Sequence, residues 1–286
     1  MNIDRRRFIE TVSRSAAGAG FIPALSALGC APSSAPEATR PESTESEWKS
    51  LFDGVTLNGW HINPEKIGHG TGGQWAVEDG TITGQQDPPG SGNGGILLTD
   101  EKFMDFELSI DIKPDWGVCS GLFLRSNDKG QCIQMMVDYH DNGKMGFLYG
   151  EGTFGFNSAT FEVNGVLDQD QRLVRLTPIG GRSLEEAGLV SSCTPEEFIE
   201  AYKIDGWNTA QVLITGTEPH ITTWINGLKI CEFDGPTTTN QKYVDNRQEI
   251  VNRVGQPGSI AVQVHGGKGW PSGAKCRWKN IRIRPV

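Results

Sequence analysis

Short runs of alternating apolar and polar residues, separated by turn dipeptides, constrain this chain more than any other feature of its sequence. Between Phe106 and Ile112 every second residue is apolar, and Pro114 follows, which is the pattern of a strand with one buried face. The dipeptides Asp79-Gly80 and Asn226-Gly227 stand between similar runs and favour tight hairpins. We therefore expect about ten to twelve short antiparallel strands that fold as a sandwich or jelly roll.

Helix signals are confined to one segment. Thr194 is a favourable N-cap, Pro195 suits the first helical position, and two glutamates follow in the first turn. This helix lies within a long excursion between strands, residues 151–206. The expected fold class is all-β, a jelly-roll sandwich of two antiparallel sheets with one short helix in a long loop.

The first part of the chain differs from the rest in composition. Within residues 1–29, the run Arg5–Ile9 precedes a short Ala/Gly-rich stretch and resembles a twin-arginine export signal. Cys30 follows small residues, as at a lipoprotein cleavage site, although plain signal cleavage nearby is the alternative. Residues 30–47 are rich in Pro, Ser, Thr and Glu and predict a disordered tether, before a jelly-roll domain over residues 48–286. We expect an exported lipoprotein of the periplasm or cell envelope, with the membrane as a partner through the lipid on Cys30.

Charge and cysteine usage exclude some functions. The net charge is −9 and no basic stripe is present, so nucleic acid is not an expected partner. Five cysteines follow Cys30, and no pair has the CxxC spacing of a zinc or redox site. We expect most of them to be small buried side chains, with Cys231 and Cys276 as the pair considered for a disulfide.

Ten segments, in order, resemble the 3-keto-disaccharide hydrolase domain family. They run from "LFDGVTLNGW" at Leu51 to "WKNIRIRPV" at Val286 and include "SGLFLRS", "MGFLYG" and "GSIAVQVHGG". The resemblance implies a concanavalin-like, laminarinase-type jelly roll and a glycoside substrate whose C3 hydroxyl has been oxidised to a ketone. Where the family usually carries a glutamate, this chain has Cys132. If that glutamate is catalytic in relatives, this protein is inactive or uses other groups.

Strand alternation is expected to bring polar side chains from distant segments into one groove. The expected groove residues are Arg125, Gln134, Asp138, Gln263 and His265. Each also has a structural interpretation: Arg125, for example, suits a surface ion pair with Asp128. The residues predicted to bind substrate are Gln134, Gln263, Tyr149, Trp116 and Trp270, the two tryptophans because they stand in loops and suit stacking on a sugar ring.

The implied substrate assigns a chemical role to several of these side chains. A ketone at C3 acidifies the C2 proton, so a base can remove it and the C1 substituent can leave without an oxocarbenium ion. We predict His265 or Asp138 as the base and Glu151 as the proton donor to the leaving oxygen. Arg125, or a bound divalent cation, is predicted to stabilise the enolate. No cofactor is certain, and the ligands of such a cation are not readable because the remaining histidines lack ligand spacing.

Three other functions compete with this one, and the one that no specific sequence feature favours is an interaction domain in a cell-envelope assembly. An ordinary retaining glycosidase needs two carboxyl groups about 5 Å apart, and the E-x-D-x-x-E cluster of laminarinases is absent from the sequence. The alternative that we retain is a non-catalytic carbohydrate-binding envelope lipoprotein, with Trp116 and Trp270 as its sugar platforms.

Overall fold

Alternating apolar residues place most of the strands in two antiparallel sheets. The computed structural model describes residues 47–286 of the chain. In this part the strands are β1 (Lys49–Ser50), β2 (Trp60–Ile62), β3 (Gln74–Glu78), β4 (Thr81–Gln85), β5 (Gly95–Phe103), β6 (Phe106–Ile112), β7 (Val118–Ser126), β8 (Cys132–Tyr139), β9 (Leu148–Glu151), β10 (Asn157–Ser158), β11 (Glu162–Leu167), β12 (Leu173–Ile179), β13 (Ser191–Ser192), β14 (Asn208–Thr215), β15 (His220–Ile225), β16 (Leu228–Asp234), β17 (Gly258–Val264) and β18 (Cys276–Pro285). The helices are α1 (Leu184–Ala187), α2 (Pro195–Ala201), α3 (Gln241–Asp245) and α4 (Arg247–Val254).

The two sheets have nine and seven strands. The nine-stranded sheet has the order β13-β16-β15-β14-β6-β18-β4-β3, with β1 paired to β18. The seven-stranded sheet has the order β10-β9-β8-β7-β17-β5-β2, and β11 pairs with β12 as a separate hairpin. The expected hairpins at Asp79-Gly80 and Asn226-Gly227 join β3 to β4 and β15 to β16. The all-β jelly-roll fold class predicted from the sequence is confirmed.

The core lies between the sheets. In β6 the buried residues Leu108 and Ile110 belong to it, and in β8 the buried residues Met135 and Val137 do so. The opposite face of the seven-stranded sheet has its own small apolar cluster, which includes Phe123, Cys132 and Ala261. Side chains on that opposite face are free to build a site, because the core does not depend on them.

The structure corrects four details of the fold prediction, the first being the number of strands, which is eighteen among the described residues instead of ten to twelve. Helix α2 begins as expected, with Thr194 accepting a hydrogen bond from the Glu197 backbone, but four helices are present among the described residues instead of one. Residues 151–206 also contain strands β10 to β13 and helix α1. Cys231 and Cys276 are free thiols. They stand on β16 and β18, four strand spacings apart in the sheet, roughly 19 Å, which a disulfide cannot span.

Other predictions fall outside the described residues. The export signal, the lipid on Cys30 and almost all of the tether lie in residues 1–46, so they stay predictions. Among residues 47–286, no helix combines the length and apolar character needed to cross a membrane.

Candidate active site

One cavity opens at the end of strands β7, β8 and β17. Its volume is about 480 Å³. Its walls are formed by Trp116, Gly117, Cys119, His140, Asp141, His265, Gly266, Gly269 and Trp270. The lining residues come from four separate stretches of chain that the seven-stranded sheet brings together.

Strand register brings further polar residues next to this cavity. Cys119 pairs with Asp138 across β7 and β8, and Gln134 pairs with Tyr149 across β8 and β9. A Cβ atom placed on Gly121 would lie 1.8 Å from Gln134 Oε1 and 3.1 Å from Gln263 Oε1, so both amides lie over this glycine. Neither amide oxygen has a hydrogen-bond partner among the described residues. The missing side chain at Gly121 therefore leaves room for two buried amide oxygens that lack a hydrogen-bond partner.

His265 is held with one ring nitrogen free. Its Nδ1 donates a hydrogen bond to the Gly266 carbonyl at 2.6 Å, because a carbonyl can only accept. The neutral ring therefore has its lone pair on Nε2. Burial, together with the neighbouring His69, lowers the pKa of His265 below its usual value, partly opposed by the Gly266 carbonyl and by Glu151 and Asp138. The side chain is thus kept neutral near pH 7, as a general base requires.

His69 is a site residue that sequence analysis missed. Its ring centre lies 4.7 Å from that of His265, and its Nε2 lies 3.3 Å from Glu151 Oε1 and 2.9 Å from Gln263 Nε2. One ring nitrogen cannot donate to the carboxylate and accept from the amide at the same time. If Nε2 carries a proton, it donates to the Glu151 carboxylate, and the Gln263 amide must turn its oxygen toward the ring. If Nε2 carries no proton, it accepts a hydrogen bond from the Gln263 amide nitrogen. The tautomer of His69 and the orientation of the Gln263 amide therefore depend on each other.

The approach of His69 depends on a glycine. A Cβ on Gly266 would lie only 2.2 Å from the His69 carbonyl oxygen, so this contact requires the Gly-rich segment after His265. The Gly-rich segment is visible in the sequence, but its contact with His69 is not.

The Glu151 carboxylate lies beside Cys132, the position at which the family resemblance led us to expect a glutamate. Glu151 is the direct cross-strand partner of Cys132, and Gln134 Nε2 donates to its Oε2 at 3.3 Å. Cys132 itself is fully buried in the small apolar cluster, and burial raises the pKa of its thiol well above the usual value. The Cys132 thiol is thus protonated and unsuited to be a nucleophile.

Asp138 lies deeper in the site than the other carboxylates. The Cys119 thiol donates a hydrogen bond to its Oδ1 at 3.2 Å. Burial raises the pKa of Asp138, and the charges of His140, Lys144 and His265 oppose that rise. A raised pKa brings a carboxyl group nearer to the range of a general base, so the pKa alone does not separate Asp138 from His265.

Arg125 does not reach the groove, contrary to the expectation from strand alternation. Its side chain is almost fully buried, and it donates to the Met104 carbonyl at 2.6 Å and to the Gly216 carbonyl at 2.7 Å. Its ion-pair partner is Asp105 at 2.8 Å, not Asp128. Burial lowers the pKa of the guanidinium to about 10, partly opposed by Asp105.

A β-bulge explains why the alternation fails there. Arg125 has a positive φ of 54°, and the register between β17 and its neighbours shifts between Ser259 and Ala261, beside it. An extra residue in one strand reverses the face of the side chains beyond it. Arg125 is a structural residue that ties together three chain segments, and it is not available to an enolate.

The aromatic residues predicted to bind sugar line the cavity to different degrees. Trp116 is half-buried, with its ring centre 5.0 Å from that of Tyr139 in an edge-to-face arrangement. Trp270 is only 4% exposed, and its Nε1 donates to the Ala274 carbonyl. Tyr149 is half-buried beside Gln134, and burial together with Glu151 raises the pKa of its phenol. Trp116 therefore offers more open surface to a sugar ring than Trp270.

Comparisons with known proteins agree with this fold. The profile of a family described as "3-keto-alpha-glucoside-1,2-lyase-like domain" matches residues 47–284. A curated 3-keto-disaccharide hydrolase of Bacteroides thetaiotaomicron is 36% identical over 80 residues, which is 26% of this chain and 26% of that protein's length.

Two solved structures, both titled as putative glycosyl hydrolases from Parabacteroides distasonis, are similar to this chain. One has a TM-score of 0.50 at 16% identity and covers 84% of this chain and 94% of its own. The other has a TM-score of 0.45 at 18% identity and covers 84% and 100%. At such identities the likeness concerns the fold alone.

Proposed function

Because the chain belongs to the 3-keto-alpha-glucoside-1,2-lyase-like family, we propose that it cleaves the glycosidic bond of 3-keto-glycosides. The observation that carries the proposal is the imidazole of His265, which lines the cavity, keeps its Nε2 free of the Gly266 hydrogen bond, and lies 4.7 Å from the ring of His69, the partner of Glu151. A base and a proton donor in one hollow are what an elimination at C1 and C2 requires.

The reaction proceeds in two stages. His265 Nε2 takes the C2 proton, and the electron pair is delocalised onto the C3 oxygen as an enolate. The enolate then expels the C1 substituent, a C1–C2 double bond forms, and Glu151 gives its proton to the leaving oxygen. Water then adds to C1 and gives a proton to the Glu151 carboxylate, which restores that acid. The proton on His265 returns to C2, so the net reaction is a hydrolysis.

His265 is preferred over Asp138 as the base for a geometric reason. The Asp138 carboxyl accepts a hydrogen bond from the Cys119 thiol at 3.2 Å and does not line the cavity, whereas His265 does. Gln134 and Gln263 bind substrate hydroxyls in this proposal after a side-chain rotation, because their amide oxygens have no partner among the described residues but are buried. Trp116 packs against the sugar ring.

The enolate oxygen needs a positive charge or hydrogen-bond donors beside it. Arg125 is excluded because its guanidinium is bonded to Asp105 and to backbone carbonyls away from the cavity. Of the two stabilisers that the sequence suggested, we propose the divalent cation.

The decisive assay compares 3-keto-glucosides with unmodified glucosides, using the purified full chain. We expect turnover of the 3-keto substrates only, with a primary isotope effect when C2 carries deuterium. Turnover confined to unmodified glucosides would contradict the proposal. Sugar binding with no turnover of either substrate supports the alternative, a non-catalytic carbohydrate-binding protein.

We also propose that the protein is exported and held at a membrane of the cell envelope by a lipid on Cys30. The support is the sequence of residues 1–47 described above. The glycoside would then meet the enzyme outside the cytoplasm.

A further inference from the structure

Three side chains in or next to the cavity are left without a role as acid or base by the reaction above. They are Cys119, Asp138 and His140, and one ligand atom from each lies within 4.8 Å of the other two. Ligand atoms around a tetrahedral zinc ion stand roughly 3.3–3.8 Å apart, given bonds of about 2.0–2.3 Å. The Cys119 Sγ to Asp138 Oδ1 distance of 3.2 Å is already close to that spacing. Small side-chain rotations bring the third atom into range.

The backbone fixes two of these groups relative to each other. Cys119 and Asp138 are direct cross-strand partners in β7 and β8, so their Cβ atoms are about 5 Å apart on one face of the sheet. His140 follows at the end of β8. Its Nδ1 donates to the Asp141 carbonyl at 2.7 Å, which leaves Nε2 as the free ring nitrogen. A backbone carbonyl on the second nitrogen is the usual way in which a metal-binding histidine is oriented.

We propose that Cys119, Asp138 and His140 bind one divalent transition-metal ion, with zinc as the preferred metal. A thiolate, an imidazole and a carboxylate are ligands that zinc favours, whereas calcium and magnesium prefer oxygen alone. The thiolate and the carboxylate together balance the charge of the ion.

The remaining coordination position faces the cavity, because Cys119 and His140 both line it. Three protein ligands and one open position are the arrangement of catalytic rather than structural zinc. The ion would polarise the C3 carbonyl and stabilise the enolate, the role for which Arg125 is misplaced. This use of the metal rests on the proposed function, whereas the binding site rests on its own geometry.

Metal binding is tested without substrate. The full chain is freed of metal with a chelator and titrated with Zn²⁺ by calorimetry and with Co²⁺ by absorption spectroscopy. We expect one equivalent to bind, with a thiolate-to-cobalt charge-transfer band. Cys119→Ser and His140→Ala should each weaken binding at least about 100-fold, and Cys119→Ser should abolish the band.

The matched control is Cys193→Ala, which removes another free thiol that is not part of the cluster. It should leave both the stoichiometry and the band unchanged. Circular dichroism of each variant shows whether a loss of metal binding results from a loss of folding. If Cys119→Ser or His140→Ala does not fold, Asp138→Asn tests the remaining ligand.

Two results would overturn the site: a wild-type chain that binds no Zn²⁺ or Co²⁺, or a folded Cys119→Ser variant that binds as the wild type does. The proposed function fails separately. If the chain binds one equivalent of metal but does not cleave 3-keto-glycosides, the proposed reaction is wrong and the proposed metal site stands.

Discussion

His265 is the side chain on which the proposed chemistry depends at the scale of single residues. Replacing it with glutamine keeps a polar group of similar size but removes the base. We expect His265→Gln to lower kcat/KM for 3-keto-glycosides by about 10²- to 10⁴-fold, the usual contribution of a general base. His220→Gln, at a more exposed histidine outside the cavity, is the control. A His265→Gln variant with wild-type kinetics removes this residue from the base role.

The pH profile follows from the same residue. A general base acts in its deprotonated form, which is present above its pKa. Because burial and His69 lower the pKa of His265, the acid limb of kcat/KM should fall below pH 6.5, the ordinary value for histidine. Replacing His69 with asparagine removes one cause of the lowering and should move that limb to higher pH. An unchanged limb in this variant contradicts the assignment.

The role of Glu151 as proton donor can be tested by changing the acidity of the leaving group. Glu151→Gln cannot donate a proton, so we expect a loss of about 10²-fold or more with alkyl leaving groups and a much smaller loss with an acidic phenol, which needs no proton. Glu249→Gln, at an exposed helical position, is the control. An equal loss with both leaving groups would point to positioning of His69 instead of proton donation.

At the scale of secondary-structure elements, Arg125 links the start of β6, the β14–β15 turn and α4. It contacts Asp105, the Gly216 carbonyl and, at 3.4 Å, the Val254 carbonyl. Arg125→Met leaves these acceptors without their buried donor, and we expect a loss of about 2–4 kcal/mol in the free energy of unfolding. Urea titration measures it.

The control for this prediction is Arg172→Met, at an exposed residue whose ion pair with Asp170 is long at 3.8 Å. Its cost should stay below about 0.5 kcal/mol. At a temperature where both variants are folded, Arg125→Met should retain its kcat/KM. If the folded Arg125→Met variant has normal stability but has lost its activity, Arg125 acts in the active site and not as a structural residue.

The same elements show what sequence patterns can and cannot predict. Alternation along β8 predicts correctly that Gln134 and Asp138 face away from the core, because a regular strand has a period of two. It fails at Arg125, since a bulge changes the face and leaves no clear mark in composition. His69 was missed because it reaches the site from a loop packed against Gly266, a contact between residues nearly two hundred positions apart. Short helices such as α1 and α3 carry too few residues for a periodic pattern.

At the scale of the whole molecule, the cavity depends on the folded core, because its polar groups come from parts of the chain that are far apart in sequence. The core between the sheets holds β7, β8 and β17 in register, and only then do Cys119, Asp138 and His265 meet. A partly folded chain has no such site. The export that we propose would therefore benefit from crossing the membrane in the folded state, which is what the twin-arginine pathway provides.

Export is therefore the prediction that belongs to the entire chain. Arg5→Lys combined with Arg6→Lys should retain the protein in the cytoplasm, whereas Arg14→Lys, a matched change later in the same segment, should be exported normally. Cys30→Ala should be exported but not lipidated, so it should leave the membrane fraction and appear in the soluble envelope fraction. A single acyl chain binds a membrane only marginally, so stable anchoring requires more than one chain on Cys30. Fractionation, together with the mass of the mature amino terminus, measures each outcome, and membrane association that survives Cys30→Ala would contradict the lipid anchor.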